Sequence, residues 1–256
     1  MPARAPNDVL IDPAAFNARL QAAGRARDFR IERFGETTAG PLLALTKRTP
    51  GPRPRIYLSA GIHGDEPAPP LALLDLLERG VFDARAVWFL CPLLNPVGFT
   101  TRTRENADGV DLNRDYKTLR SLEIQAHSRW LQRQPNFDVT FHVHEDWEAH
   151  GFYLYELCSS EGRSIARAMI EAVSATLPID RSTVIDGFTV AERGIIRPVA
   201  DPGLRDPWPE SIYLRAHHTR LGYTLETPTS LPLAQRIAAL ATAIETALRV
   251  RCERAE

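Results

Sequence analysis

Short apolar runs alternate with amphipathic stretches along most of this chain, and that alternation limits what it can fold into. IERF, PLLALT, RIYLSA, AVWFLCPLL, DVTFHVH and FYLYEL are too short for ordinary helices, and each reads as a strand. Residues 13–24, 65–79, 119–133, 161–175 and 231–250 read as helices, with Phe16, Leu20 and Ala23 sharing one face of the first. The prolines of 65–79 (DEPAPPLALLDLLER) fall in its opening turn, where a missing N–H is tolerated. Strands alternating with helices define an α/β chain, a central sheet covered by helices. The strands within 31–60 follow one another with no helix between, so a mixed sheet is expected. The stretch 176–222 is rich in Pro and Gly and reads as long loops of the kind that form substrate pockets.

Bulk properties exclude several classes. A chain of 256 residues, 44% hydrophobic, can bury a full core, and the Pro/Gly run at 49–55 is too short for a domain linker. A net charge of -1 offers no field for nucleic acid or an anionic membrane. Cys91, Cys158 and Cys252 suggest neither a disulfide framework nor a thiolate zinc site. No signal-peptide core opens the chain and no run approaches the roughly 20 apolar residues of a membrane span. A cytoplasmic protein without nucleic-acid or membrane partners is the expectation.

Four segments carry chemistry. RIYLSA runs through GIHGDEP into a helix, and strand-to-helix junctions are where α/β sheets place ligands. His63 and Glu66 straddle that junction and can reach one metal; alone, the pair could equally be a surface His and a Glu at the positive end of a helix. In FDVTFHVHEDW, His142 and His144 share a strand face, and either could be a third ligand. His144 lies nearer the end of the strand, where the site should be. Two nitrogens and one carboxylate leave zinc an open position for water. TRTRENADGVDLNRDY carries Arg102, Arg104 and Arg114, either on a solvated loop or aimed at a carboxylate or an oxyanion. In LGYTLETPTS, Glu226 sits inside an apolar run, where a carboxylate must be paired, metal-linked or protonated.

Taken together and in this order, HGDE, LNPVG, the GVDLNRDY loop, the strand ending in HED, and TLET resemble the zinc carboxypeptidase family. The likeness spans about residues 35–245, and it is nearer to short bacterial members, including murein-peptide amidases that cut beside diaminopimelate. It implies a mixed sheet of about eight strands flanked by helices. It also implies one catalytic domain over 1–256, with a helical extension at 1–30. By motif position, His63, Glu66 and His144 match the ligands of one zinc ion per chain, and Glu226 matches the general base. Arg104 matches the residue that polarises the scissile carbonyl, and Asn113 with Arg114 the pair that grips a terminal carboxylate. Asp115 stands where many relatives have Asn, and Tyr213 is a candidate for the substrate-capping tyrosine. Arg205, Trp208 and Glu210 are candidate pocket walls.

The resemblance implies a zinc carboxypeptidase acting on a peptide or small amide beside a free carboxylate. One alternative is deacylation of N-acyl amino acids, as in aspartoacylase and succinylglutamate desuccinylase. Another is a binding module that kept the fold, although no ligand position and no base is lost here.

Overall fold

A computed structural model describes residues 10–158 and 164–253. Helix α1 (Pro13–Ala26) starts where the Asp12 carboxylate accepts the Ala14 N–H at 2.9 Å, with Pro13 in the first turn. Residues 1–9 of the expected extension lie outside the described residues. An antiparallel hairpin of β1 (Arg30–Thr37) and β2 (Gly40–Lys47) follows. Then come β3 (Arg55–Ser59), α2 (Ala68–Arg79), β4 (Val87–Cys91) and the short α3 (Pro96–Thr101). Next are α4 (Leu122–Gln132), β5 (Val139–Asp146), β6 (Tyr153–Cys158) and α5 (Ala166–Ser174). The helix expected over 161–175 thus begins at Ala166, and 161–163 lie outside the described residues. A small hairpin of β7 (Val184–Ile185) and β8 (Phe188–Thr189) precedes β9 (Ile195–Ile196), α6 (Glu210–His217), β10 (Leu221–Pro228) and α7 (Leu233–Glu253).

Two expectations about local structure change. The helix expected from residue 65 begins at Ala68, because Gly64, Asp65 and Glu66 are used in the turn out of β3. The stretch 176–222 is not all loop, since α6 occupies 210–217 with Pro209 at its cap and Glu210 in its first turn. An acidic residue there favours the positive end of a helix.

The eight-stranded sheet has the order β1-β2-β4-β3-β5-β10-β6-β9. β3, β4, β5 and β10 run parallel, while β2 and β6 join them antiparallel, which makes the sheet mixed as expected. Period-two alternation on β5 divides two environments. Val139, Phe141 and Val143 enter a core shared with α1, α2, α5 and α7, including Leu20, Leu73, Met169 and Leu240. Thr140, His142 and His144 face the other side, which carries the second cluster of Tyr57, Phe89, Trp130 and Leu214 under α4 and α6. No described helix is long and apolar enough to cross a membrane.

Candidate metal centre

The C-terminal ends of β3, β5 and β10 open onto one cleft of about 470 Å³. After β3 the chain turns through Gly61, held at φ 64, a left-handed conformation that favours glycine. Gly64 then packs directly on the Gly98 carbonyl of α3, a contact that a Cβ at Gly64 would overlap. This sharp passage presents His63 and Glu66 side by side before α2 begins. Their approach is close, with His63 Nδ1 lying 2.5 Å from Glu66 Oε1.

β5 brings the third group. His144 Nδ1 lies 3.0 Å from Glu66 Oε2, and one donor atom from each of His63, Glu66 and His144 falls within 4.8 Å of the other two. All three side chains are buried. Two imidazole nitrogens and one carboxylate, converging from two strand ends, form a donor set suited to zinc with a position left open. Burial works against ionisation of Glu66, but the two imidazoles outweigh it and hold its carboxyl below the ordinary range. Burial also works against the His63 cation, yet Glu66 and Asp111 raise its proton affinity, whereas at His144 burial prevails and lowers it.

His142, the other histidine of the strand, belongs to a different structure. Its Nδ1 lies 3.1 Å from both Ser59 Oγ and Glu210 Oε2, and its Nε2 lies 3.2 Å from Thr140 Oγ1. Glu210 also accepts from the Tyr57 and Ser59 hydroxyls, each at 2.7 Å. Tyr57 gives its one proton to Glu210, so its oxygen accepts from His127 Nε2 at 3.0 Å. His127 Nδ1 then accepts from the Tyr116 hydroxyl at 2.7 Å. The expectation that Glu210 walls the pocket is therefore corrected: its carboxylate is buried and bound on both oxygens.

The remaining expected residues fall around the cleft. Arg104 donates from Nε to Asp111 Oδ2 at 2.9 Å, and its Nη1 stands 3.7 Å from Glu66 Oε1. Glu226 on β10 pairs in register with His144 on β5 and Tyr153 on β6. Among the described residues its carboxylate has no hydrogen-bond or ion-pair partner. Burial pushes the Glu226 carboxyl well above the ordinary range, helped by the Glu66 and Asp146 carboxylates and opposed by Arg104. Asn113 accepts the Glu210 N–H on Oδ1 at 2.9 Å, and its Nδ2 has no partner among the described residues. Arg114 is exposed on the cleft lining, and its Nη1 donates to the Asn113 carbonyl at 2.9 Å. Among the described residues it makes no ion pair, and Asp115 is otherwise engaged, accepting from Thr118, Arg120 and Ser121.

Other assignments change. Tyr213 is buried in the second core cluster, 5.4 Å from the Tyr116 ring and 4.8 Å from that of His217, so it does not face the cleft. Tyr153 and Tyr155 do line it. Arg205 lines the cleft as expected, with its guanidinium 5.2 Å over the Phe188 ring of the β7–β8 hairpin. Trp208 instead holds the loop behind it, donating from its indole to Pro202 O at 3.1 Å and Arg205 O at 3.0 Å. Asp111 was missed as a site residue. It stands 3.3 Å from His63 Nε2 as well as bonding Arg104, and the recurrent need of a ligand imidazole for a second partner was the available signal.

A mixed eight-stranded sheet with two imidazoles and a carboxylate gathered at its strand ends is the architecture of a carboxypeptidase-fold metallohydrolase. The chain belongs to the succinylglutamate desuccinylase/aspartoacylase catalytic domain family, whose model matches residues 52–183, just over half of the 256. That stretch holds His63, Glu66, Arg104, Asn113, Arg114 and His144 and ends before Glu226. A candidate metallopeptidase from Shewanella amazonensis SB2B superposes with a TM-score of 0.80 at 27% identity, over 93% of each chain. A metallo-carboxypeptidase from Burkholderia cenocepacia does so at 0.66 and 21% identity, over 93% of this chain and 68% of that one. A metallo-carboxypeptidase from Pseudomonas aeruginosa in complex with (2-guanidinoethylmercapto)succinic acid shares the fold at 0.66 and 19% identity, over 92% of this chain and 68% of that one. Among curated proteins none matches the chain.

Proposed function

We propose that this protein is a zinc-dependent carboxypeptidase that hydrolyses a peptide or small amide bond beside a free carboxylate. The observation that carries the reading is the carboxylate of Glu226, without a partner among the described residues and in register with His144, within the cleft that holds the His63–Glu66–His144 donor set. A zinc ion held there would act as a Lewis acid on the scissile carbonyl and acidify a water. Glu226 accepts the proton of the attacking water and hands it to the leaving amine. Arg104, kept in place by Asp111, donates to the oxygen that gains charge as the carbonyl is attacked. Asn113 Nδ2 and the Arg114 guanidinium bind the carboxylate of the leaving portion and so set its register.

The family match also supports a second reading, deacylation of N-acyl amino acids. Both reactions cut an amide beside a carboxylate, and they differ in what lies on the acyl side. Turnover of free-acid tripeptides against matched N-acyl amino acids separates them. The carboxypeptidase reading expects kcat/KM at least about tenfold higher on the peptides, a margin of about 1.4 kcal/mol. The reverse order would establish the deacylase.

A further inference from the structure

The residue that follows His144 has a separate task. Glu145 points to the opposite face of β5, toward α2 and α7, and is buried. Its Oε2 accepts the N–H of Ala68, the first residue of α2, at 2.8 Å. Its own N–H donates to Glu66 Oε2 at 3.2 Å, the same oxygen that faces His144 Nδ1. Its Oε1 is paired with Nη1 of Arg236 on α7, a guanidinium that is 0% exposed. The contacts close a ring: Glu66 to the Glu145 backbone, the Glu145 side chain to Ala68, and Ala68 back to Glu66 two residues along the chain.

Fold stability alone does not account for this arrangement. A fully buried ion pair can often be replaced by well-packed apolar side chains with no loss of stability. What the carboxylate supplies is geometry: its Oε2 holds the Ala68 N–H while the backbone N–H of the same residue holds Glu66, and Arg236 on Oε1 offsets the buried charge. Glu66 and His144 are 78 residues apart, and the two donors must meet with little positional freedom. Glu145 ties the turn that carries one to the strand that carries the other.

We infer that Glu145, through its hydrogen bond to Ala68, is a positioning residue that locks Glu66 against His144 and thereby sets the affinity of the centre for its metal. The inference rests on the metal-binding reading above. Neither residue touches the reacting atoms. Partners of this indirect kind contribute about 10–100-fold to metal affinity where they have been removed.

The test uses zinc itself, with a chromophoric chelator as competitor, and melting of the metal-free proteins alongside. In Glu145→Gln/Arg236→Met the charges are gone but an amide oxygen can still accept from Ala68, so zinc affinity should stay within about threefold of wild type, well short of the loss for removing such a partner. In Glu145→Met/Arg236→Met the acceptor is gone as well, and affinity should fall about 10–100-fold while the metal-free protein melts close to wild type. Glu145→Leu/Arg236→Leu removes the acceptor with a different packing shape and should weaken zinc by a similar factor. It takes over as the deciding variant if the double methionine protein does not fold. Zinc affinity equal to wild type in whichever of these two folds would overturn the inference, as would equal weakening of the glutamine and methionine pairs. Wild-type protein that binds no zinc would defeat the metal-binding reading, a different outcome from wild-type protein that binds zinc no better than its variants.

Discussion

His142 and His144 sit two residues apart on one face of one strand, both buried, yet they belong to opposite kinds of polar region. Around His142 every donor has an acceptor: Ser59 and Tyr57 give their protons to Glu210, His127 gives one to Tyr57, and Tyr116 gives one to His127. Around His144 the groups instead crowd onto one shared acceptor. Two imidazoles face one carboxylate, and Glu226 stands in the next strand with no partner among the described residues. Burial of polar groups alone therefore does not mark a site. A saturated network is a framework, since an unsatisfied buried group is costly, whereas unspent acceptors at strand ends are available for chemistry.

The contrast can be broken first at Glu226. Glu226→Gln keeps the size and removes the base, so kcat should fall by about 10²–10⁴ with zinc content unchanged. Residual turnover above about a tenth of wild type would place the base elsewhere. Next comes Arg114, whose guanidinium has no carboxylate partner among the described residues. Arg114→Met should lower kcat/KM on free-acid substrates by about 10–150-fold, the worth of one charge-assisted contact, and leave amidated substrates almost unaffected. Equal losses on both, with a lower Tm, would mean that Arg114 serves the fold instead.

The inner network should respond to acid rather than to substrate. Burial lowers His127 to about 4, so the fold holds its imidazole neutral while the unfolded chain takes up a proton near its ordinary value of 6.5. The stability this gives is complete above about pH 6.5 and is lost as pH falls toward about 4, on the order of 3 kcal/mol in all. His127→Gln should melt below wild type at neutral pH, and the gap in Tm should narrow through that window. A gap that stays constant with pH would show that His127 is not held neutral.

Local order made much of this legible in the sequence. The strand-to-helix junction announced His63 and Glu66, because both lie within four residues of one turn. Period two puts His142 and His144 together and position along the strand favours His144, but the contacts that set their separate roles, with Glu210 and Glu66, come from 68 and 78 residues away. Glu145 gave no signal for the same reason: Arg236 is 91 residues distant. The Pro/Gly-rich context of 176–222 reads as loop and puts Glu210 and Trp208 around the pocket, while Tyr213 enters as a candidate capping tyrosine through the resemblance. Helix α6 instead turns Glu210 and Tyr213 into the interior. Asp115 accepts the N–H groups of Arg120 and Ser121 and so shapes the approach to α4.

The zinc content of two single variants tests the central claim most directly. Wild-type protein and His142→Ala should each carry one zinc per chain after exhaustive dialysis, with His142→Ala less stable by about 1–3 kcal/mol because Glu210 and Ser59 lose a buried partner. His144→Ala should carry none and should melt close to the metal-free wild type. Zinc retained by His144→Ala and lost from His142→Ala would contradict the account, because the open cluster would then be the framework and the saturated one the site.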